Sequence, residues 1–123
     1  MELGAFSISL SVADLGTSRS FYENLGFTTT GGDGETWSIL VNGPAIVGLF
    51  HGMFEGNILT FNPGWTGTGQ ALEDFMDIRD ISTALTALGI EPENDTTGDS
   101  PSGPASFMLT DPDGNTLLLD QHV

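Results

Sequence analysis

Residues 5–12 read Ala-Phe-Ser-Ile-Ser-Leu-Ser-Val, so that Phe6, Ile8, Leu10 and Val12 alternate with Ser7, Ser9 and Ser11. Period two over this length predicts a strand with one apolar face and one hydroxyl-bearing face. Asp14 follows as an N-cap, and a helix is expected to run to about Leu25 with Leu15, Phe21, Tyr22 and Leu25 as its inner stripe. Gly26 ends it. Short β-like runs at 35–41, 45–50 and 57–61 come next, the first two joined by an Asn42-Gly43 turn. Pro63-Gly64 and the Thr-Gly-Thr-Gly stretch at 66–69 read as a loop.

The second half repeats the plan. Residues 72–78 read as a strand, and Asp80 as the cap of a helix whose Ile81, Ala84, Leu85 and Leu88 fall at i, i+3, i+4 and i+7. Gly89 stops that helix, and strands are expected near 90–94, 105–110 and 116–120. Asp111-Pro112-Asp113-Gly114 turns the last pair, and residues 95–104 form an exposed loop. Asp14-Leu15 … Leu25-Gly26-Phe27 answers to Asp80-Ile81 … Leu88-Gly89-Ile90, with the second helix three residues shorter. The chain therefore reads as an α+β protein of two β-α-β-β-β modules, a pair and not a solenoid. Two such copies can lay their sheets side by side as one curled mixed sheet around a cleft, with the helices outside. The expected layout is one domain over 1–123, with module 1 at about 5–62, a linker at about 63–70 and module 2 at about 71–121.

Composition narrows the chemistry. The 123 residues include no cysteine, which removes disulfide frameworks, thiolate metal sites and cysteine nucleophiles. Seventeen acidic residues face only Arg19 and Arg79, for a net charge of −15. Nucleic acid, which is held mainly by Lys and Arg on phosphates, is not an expected partner, and anionic membrane surfaces are disfavoured for the same reason. No apolar stretch is long enough to cross a bilayer and the start lacks a signal peptide's pattern, so the expected place is the cytoplasm. The acidity fits salty surroundings or solubility on one side, and a cationic ligand or partner on the other.

Val12-Ala13-Asp14-Leu15 … Ser20-Phe21-Tyr22-Glu23-Asn24-Leu25-Gly26-Phe27, followed by Asp111-Pro112-Asp113-Gly114-Asn115 before an apolar strand, resembles the vicinal-oxygen-chelate superfamily. That superfamily includes glyoxalase, bleomycin-resistance proteins, extradiol dioxygenases and fosfomycin-resistance enzymes. The resemblance implies the paired-module fold and, in the family's enzymes, one divalent metal held by four side chains. The matching positions here are Ser7, where the family often has His, then Gly48, Glu73 and Leu118. Gly48 and Leu118 offer no side-chain donor, and a serine hydroxyl is a poor ligand beside imidazole and carboxylate. Only Glu73 keeps a ligand-type group. No metal and no cofactor are expected.

The remaining groups suggest binding. Ser7 and Ser9 are expected to line the cleft from the first strand, Gly48 and Phe50 from the strand at 45–50, and Trp37 to wall it, with Gly48 enlarging its centre. Glu73 and Phe75 share a face of the expected 72–78 strand, and Leu118 lies on the last one. A carboxylate beside aromatic surface suits a general base or an anchor for an amine, which makes Glu73 the candidate catalytic residue. His51 and His122 are expected to be solvated. The leading expectation is a metal-free small-molecule binder of the bleomycin-resistance-like type, homodimeric, for a cationic or amine-bearing ligand. The alternatives are a lyase, isomerase or dioxygenase-type enzyme using Glu73 as base or residual metal ligand, and an acidic protein-interaction module.

Overall fold

A computed structural model describes residues 1–67 and 69–123. Its fold is α+β with a mixed sheet, as the sequence predicts, and the chain divides into two compact units. The first comprises Ser7–Ile58; the second comprises Met1–Phe6 with Leu59–Val123.

The first unit contains most of β1 (Ala5–Ser11), then α1 (Leu15–Asn24), β2 (Thr28–Gly32), β3 (Trp37–Asn42) and β4 (Ala45–Phe50), with strand order β2-β3-β4-β1. β1 runs parallel to β4, whereas β2/β3 and β3/β4 are antiparallel. The apolar face of β1 behaves as its alternation demands. Ile8 and Leu10 pack with Leu40, Val47 and Leu49 against Leu15 and Tyr22 of α1. β2 reads Thr-Thr-Thr-Gly-Gly and is almost wholly exposed, so no apolar period announced it.

The second unit holds β5 (Ile58–Asn62) from Leu59 on, a short hairpin of β6 (Trp65–Thr66) and β7 (Gln70–Ala71), α2 (Ile78–Ala87), β8 (Ala105–Thr110) and β9 (Thr116–Gln121). Within this unit the sheet order is β5, then β9 and β8. Ile78, Ile81 and Leu85 of α2 pack on Ala105, Phe107 and Leu119, with Leu3, Phe61, Met76 and Leu109 around them. The Asp111–Gly114 turn joins β8 to β9 as expected. The Asp111 carboxylate accepts from the backbone N–H groups of Asp113 and Asn115 and from the Asn115 side chain.

The module boundaries differ from the expected ones. The run near 57–61 opens the second module as β5 and does not close the first. Residues 72–77 are not a strand. Their apolar groups serve separate neighbours: the Leu72 N–H donates to Gly64, the Phe75 ring lies against Gly64, and Met76 enters the core. The expected linker at 63–70 includes the β6–β7 hairpin, with Thr68 outside the described residues. The strand expected near 90–94 is a single bridge, Glu93 to Met108.

Asp77, not Asp80, caps α2, because its carboxylate accepts the Arg79 N–H while Asp80 sits in the first turn. Both helices therefore have ten residues. Their ends match as well. Phe27 N–H reaches the Tyr22 carbonyl at 3.1 Å and Ile90 N–H the Leu85 carbonyl at 2.9 Å, each across a glycine of positive φ, +102° at Gly26 and +83° at Gly89. These are paired Schellman stops, and the Tyr22–Phe27 ring contact closes the first.

Candidate functional site

The face of the first unit's sheet that points away from α1 gathers five of the sequence-predicted residues. Strand register sets two rows across it. Ser9 stands beside Gly48, which stands beside Ile39; Ser11 stands beside Phe50, which stands beside Trp37. Ser7 precedes Ser9 by one pleat on the same face of β1. Ser9 and Gly48 are buried, while Ser7, Trp37 and Phe50 are half-exposed.

An aromatic wall forms along the second row. The Trp37 and Phe50 rings are stacked, with centroids 6.3 Å apart and planes 5° from parallel, and Phe54 tilts onto Phe50 at 5.4 Å. Offset parallel packing at such a distance is favourable for aromatic pairs. The Ser11 hydroxyl donates to the Phe54 carbonyl at 2.8 Å and so fixes the segment that carries the third ring. Gly48 does not enlarge the face as expected. A Cβ there would stand 2.6 Å from Cε2 of Phe50 and 3.3 Å from Cδ1 of Ile39, so the Phe50 ring already fills the space that glycine leaves.

The backbone leading into Trp37 is held by a carboxylate that sequence reasoning passed over. Asp33 accepts N–H bonds from Glu35, Thr36 and Trp37, and the hydroxyl of Thr36. The Thr36 hydroxyl, followed by the N–H groups of Thr36, Trp37 and Glu35, holds its carboxyl far below the usual carboxylate range. The Asp-x-x-Thr spacing at 33–36 is the signal that could have revealed it. His51 is exposed, and its Nδ1 lies 3.0 Å from the Val12 carbonyl.

The other predicted residues lie in the second unit. Leu118 pairs with Met108 on the face away from α2. Glu73 is exposed in the irregular segment before α2, and Phe75 rests on Gly64. The expected match of Ser7 with Glu73 therefore does not hold, because β5 takes the first-strand place in the second module. His122 stacks on Trp65 at 4.5 Å and reaches Asp120 at 3.1 Å. An open depression of about 320 Å³ lies against Leu3, Trp65 and Leu72. None of the predicted site residues lines it.

The donor set does not suit the divalent ion that the resemblance implies. Ser7 offers one neutral hydroxyl, Gly48 has its missing side chain replaced by a phenyl ring, Leu118 is aliphatic and Glu73 lies outside any strand. Among the described residues no three His, Asp or Glu come together in a group that could hold a metal.

The family model for the glyoxalase/bleomycin resistance protein/dioxygenase superfamily matches residues 4–119. The chain belongs to this superfamily. No curated protein matches the chain. Among solved structures it is similar to a glyoxalase/bleomycin resistance protein/dioxygenase superfamily member from Vibrio splendidus 12B01, at 16% identity over 94% of this chain and 97% of that one, with a TM-score of 0.63. It is also similar to a chain described as an NAD-dependent benzaldehyde dehydrogenase from Legionella pneumophila, at 17% identity, coverage of 96% and 99%, and a TM-score of 0.66. A third likeness is to 2,2',3-trihydroxybiphenyl 1,2-dioxygenase from Sphingomonas wittichii strain RW1, at 13% identity over 99% of this chain and 40% of that one, with a TM-score of 0.53. At these identities the likenesses concern the fold alone. Among the described residues no helix is long and apolar enough to cross a membrane.

Proposed function

We propose that this superfamily member is a small-molecule-binding protein that works without a divalent metal and takes a flat ligand bearing an amine or other cation. The observation that carries the reading is the Trp37–Phe50 stack, half-exposed on a sheet face that also bears Ser7 and Ser9. A tryptophan face attracts a cation by about 0.5–2 kcal/mol, according to how far the contact is desolvated. Two arginines against seventeen carboxylates add a long-range bias toward the same charge. The serine hydroxyls can donate or accept, which orients a ligand without demanding a charge. Small-molecule sites commonly combine an apolar wall with a few placed polar groups of this kind.

The test is a fluorescence titration of Trp65→Phe protein, in which Trp37 is the sole tryptophan. Benzyltrimethylammonium should change its emission saturably, and benzyl alcohol should bind more weakly. Equal response to both compounds would remove the cationic part of the reading, and no response to either would remove the site.

A further inference from the structure

We propose that Phe50 is the gate of this face: its ring occupies the recess over Gly48, and a ligand reaching Gly48 and Ser9 must first swing that ring away. The inference rests on the reading of the Trp37–Phe50 face as the ligand site.

Three observations support a ring that moves and oppose one fixed in the core. The position a Cβ of Gly48 would take lies 2.6 Å and 3.2 Å from Cε2 and Cζ of Phe50, so the contact is made by the far end of the side chain. That end shifts with a single χ rotation and leaves the backbone where it is. Phe50 is half-exposed, while the first unit's apolar core is built on the opposite face from Leu40, Val47 and Leu49. Beneath the ring lies Gly48, with Ile39 and Ser9 as its register neighbours on the two flanking strands, so the ring's departure uncovers the glycine backbone at the centre of that row. Gly48 is also not required by its backbone, since its φ lies outside the left-handed region. What glycine provides there is room, and Phe50 uses it.

A gate and a stacking platform predict opposite signs for the same substitution. If the ring must be displaced, Phe50→Ala removes the cost of breaking its packing, and benzyltrimethylammonium should bind about three- to tenfold more tightly, the range that one aromatic contact represents. Phe50→Leu should fall between. Gly48→Ala should fill the recess with a methyl group and push the ring out, leaving the melting temperature unchanged or raised while binding weakens.

The experiment is an ¹⁵N–¹H NMR titration of the wild-type protein and the three variants with benzyltrimethylammonium, following the amides of Ser9, Ile39 and Gly48. Tighter binding by Phe50→Ala at those amides supports the gate. Weaker binding by Phe50→Ala makes Phe50 a platform and overturns the gate while leaving the site reading intact. A melting temperature lowered by about 5 °C or more in Gly48→Ala shows an overpacked, fixed ring and also overturns it. No shift at those amides in the wild-type protein or in Phe50→Ala overturns the site reading and the gate with it.

Discussion

The side chain of Gln121 is joined at both ends to the start of α2. Its Oε1 accepts the Ile78 N–H at 2.8 Å, and its Nε2 donates to Oδ2 of Asp77 at 3.1 Å. The same Nε2 reaches the carbonyls of Gly103 and Val123, and Gln121 is 1% exposed. Arg79, in the first turn of the helix, donates to the carbonyls of Ser100 and Gly103 and to Asp77. One buried amide and one guanidinium thus tie the cap of α2 to β9 and to the exposed loop before β8. Gln121→Leu keeps the volume but leaves these partners unsatisfied, each at about 1–3 kcal/mol before relaxation. Chemical denaturation should register a loss of about 2–4 kcal/mol; a loss below about 0.5 kcal/mol would contradict the hub.

Ser38 gives the opposite expectation. Its side chain is fully buried in the first unit, and among the described residues its hydroxyl has no hydrogen-bond partner. Burying an unpaired hydroxyl costs about 1–3 kcal/mol, and its removal leaves only a small cavity. Ser38→Ala should therefore be neutral or stabilising by up to about 1 kcal/mol in the same denaturation assay. Clear destabilisation would mean that the hydroxyl is satisfied.

Acid should reveal the capping and turn carboxylates. Hydrogen bonds from the Thr17 N–H and side chain lower Asp14, and those from Asn115 lower Asp111. Burial pushes Asp77 and Asp95 up, but donors outweigh it: the Arg79 N–H, Gln121 and the Arg79 side chain at Asp77, and Thr97 with Ser82 at Asp95. A group whose folded pKa is depressed contributes stability that is present above its unfolded value, about 3.9 for Asp, and lost as pH falls through the folded one. Asp33 lies lowest of all, so its share should erode from about pH 4 down to the lowest accessible pH. The stability difference between wild type and Asp33→Asn should be constant from pH 5 to 7 and shrink below about pH 4. A difference that grows on acidification would contradict the assignment.

Charge sets a further expectation. With a net charge of −15, the folded chain repels itself, and added salt screens that repulsion within about 10 Å at 0.1 M. The melting temperature should rise with sodium chloride and level off by a few tenths molar. A flat profile would mean that the carboxylates are spaced too widely to repel.

Much of this arrangement is legible in residue order because it is local. The alternation at 5–12 places Ile8 and Leu10 in the core and Ser9 on the opposite face, and the Leu-Gly pairs at 25–26 and 88–89 mark both helix stops. The rest depends on contacts that the residue order does not display. The spacing of Leu72 and Phe75 imitates a strand, yet each is held by Gly64, and so the sequence repeat falls on 72–78 although β5 takes that place. β2 lacks an apolar pattern altogether and is defined only by pairing with β3. On the sheet face away from α1 the register places Ser9, Gly48, Phe50 and Trp37 near one another, but composition could not tell that Phe50 would lie down on Gly48. Gln121, two residues from Val123 and flanked by polar neighbours, carries no sequence mark of its buried role.

The most direct test of the central claim is an ¹⁵N–¹H NMR titration of the wild-type protein with benzyltrimethylammonium in the presence of excess EDTA. Saturable shifts should map to Ser9, Trp37, Ile39, Gly48 and Phe50, unchanged when the chelator is left out. Binding that disappears with EDTA, or shifts confined to residues away from that face, would contradict a metal-free aromatic site.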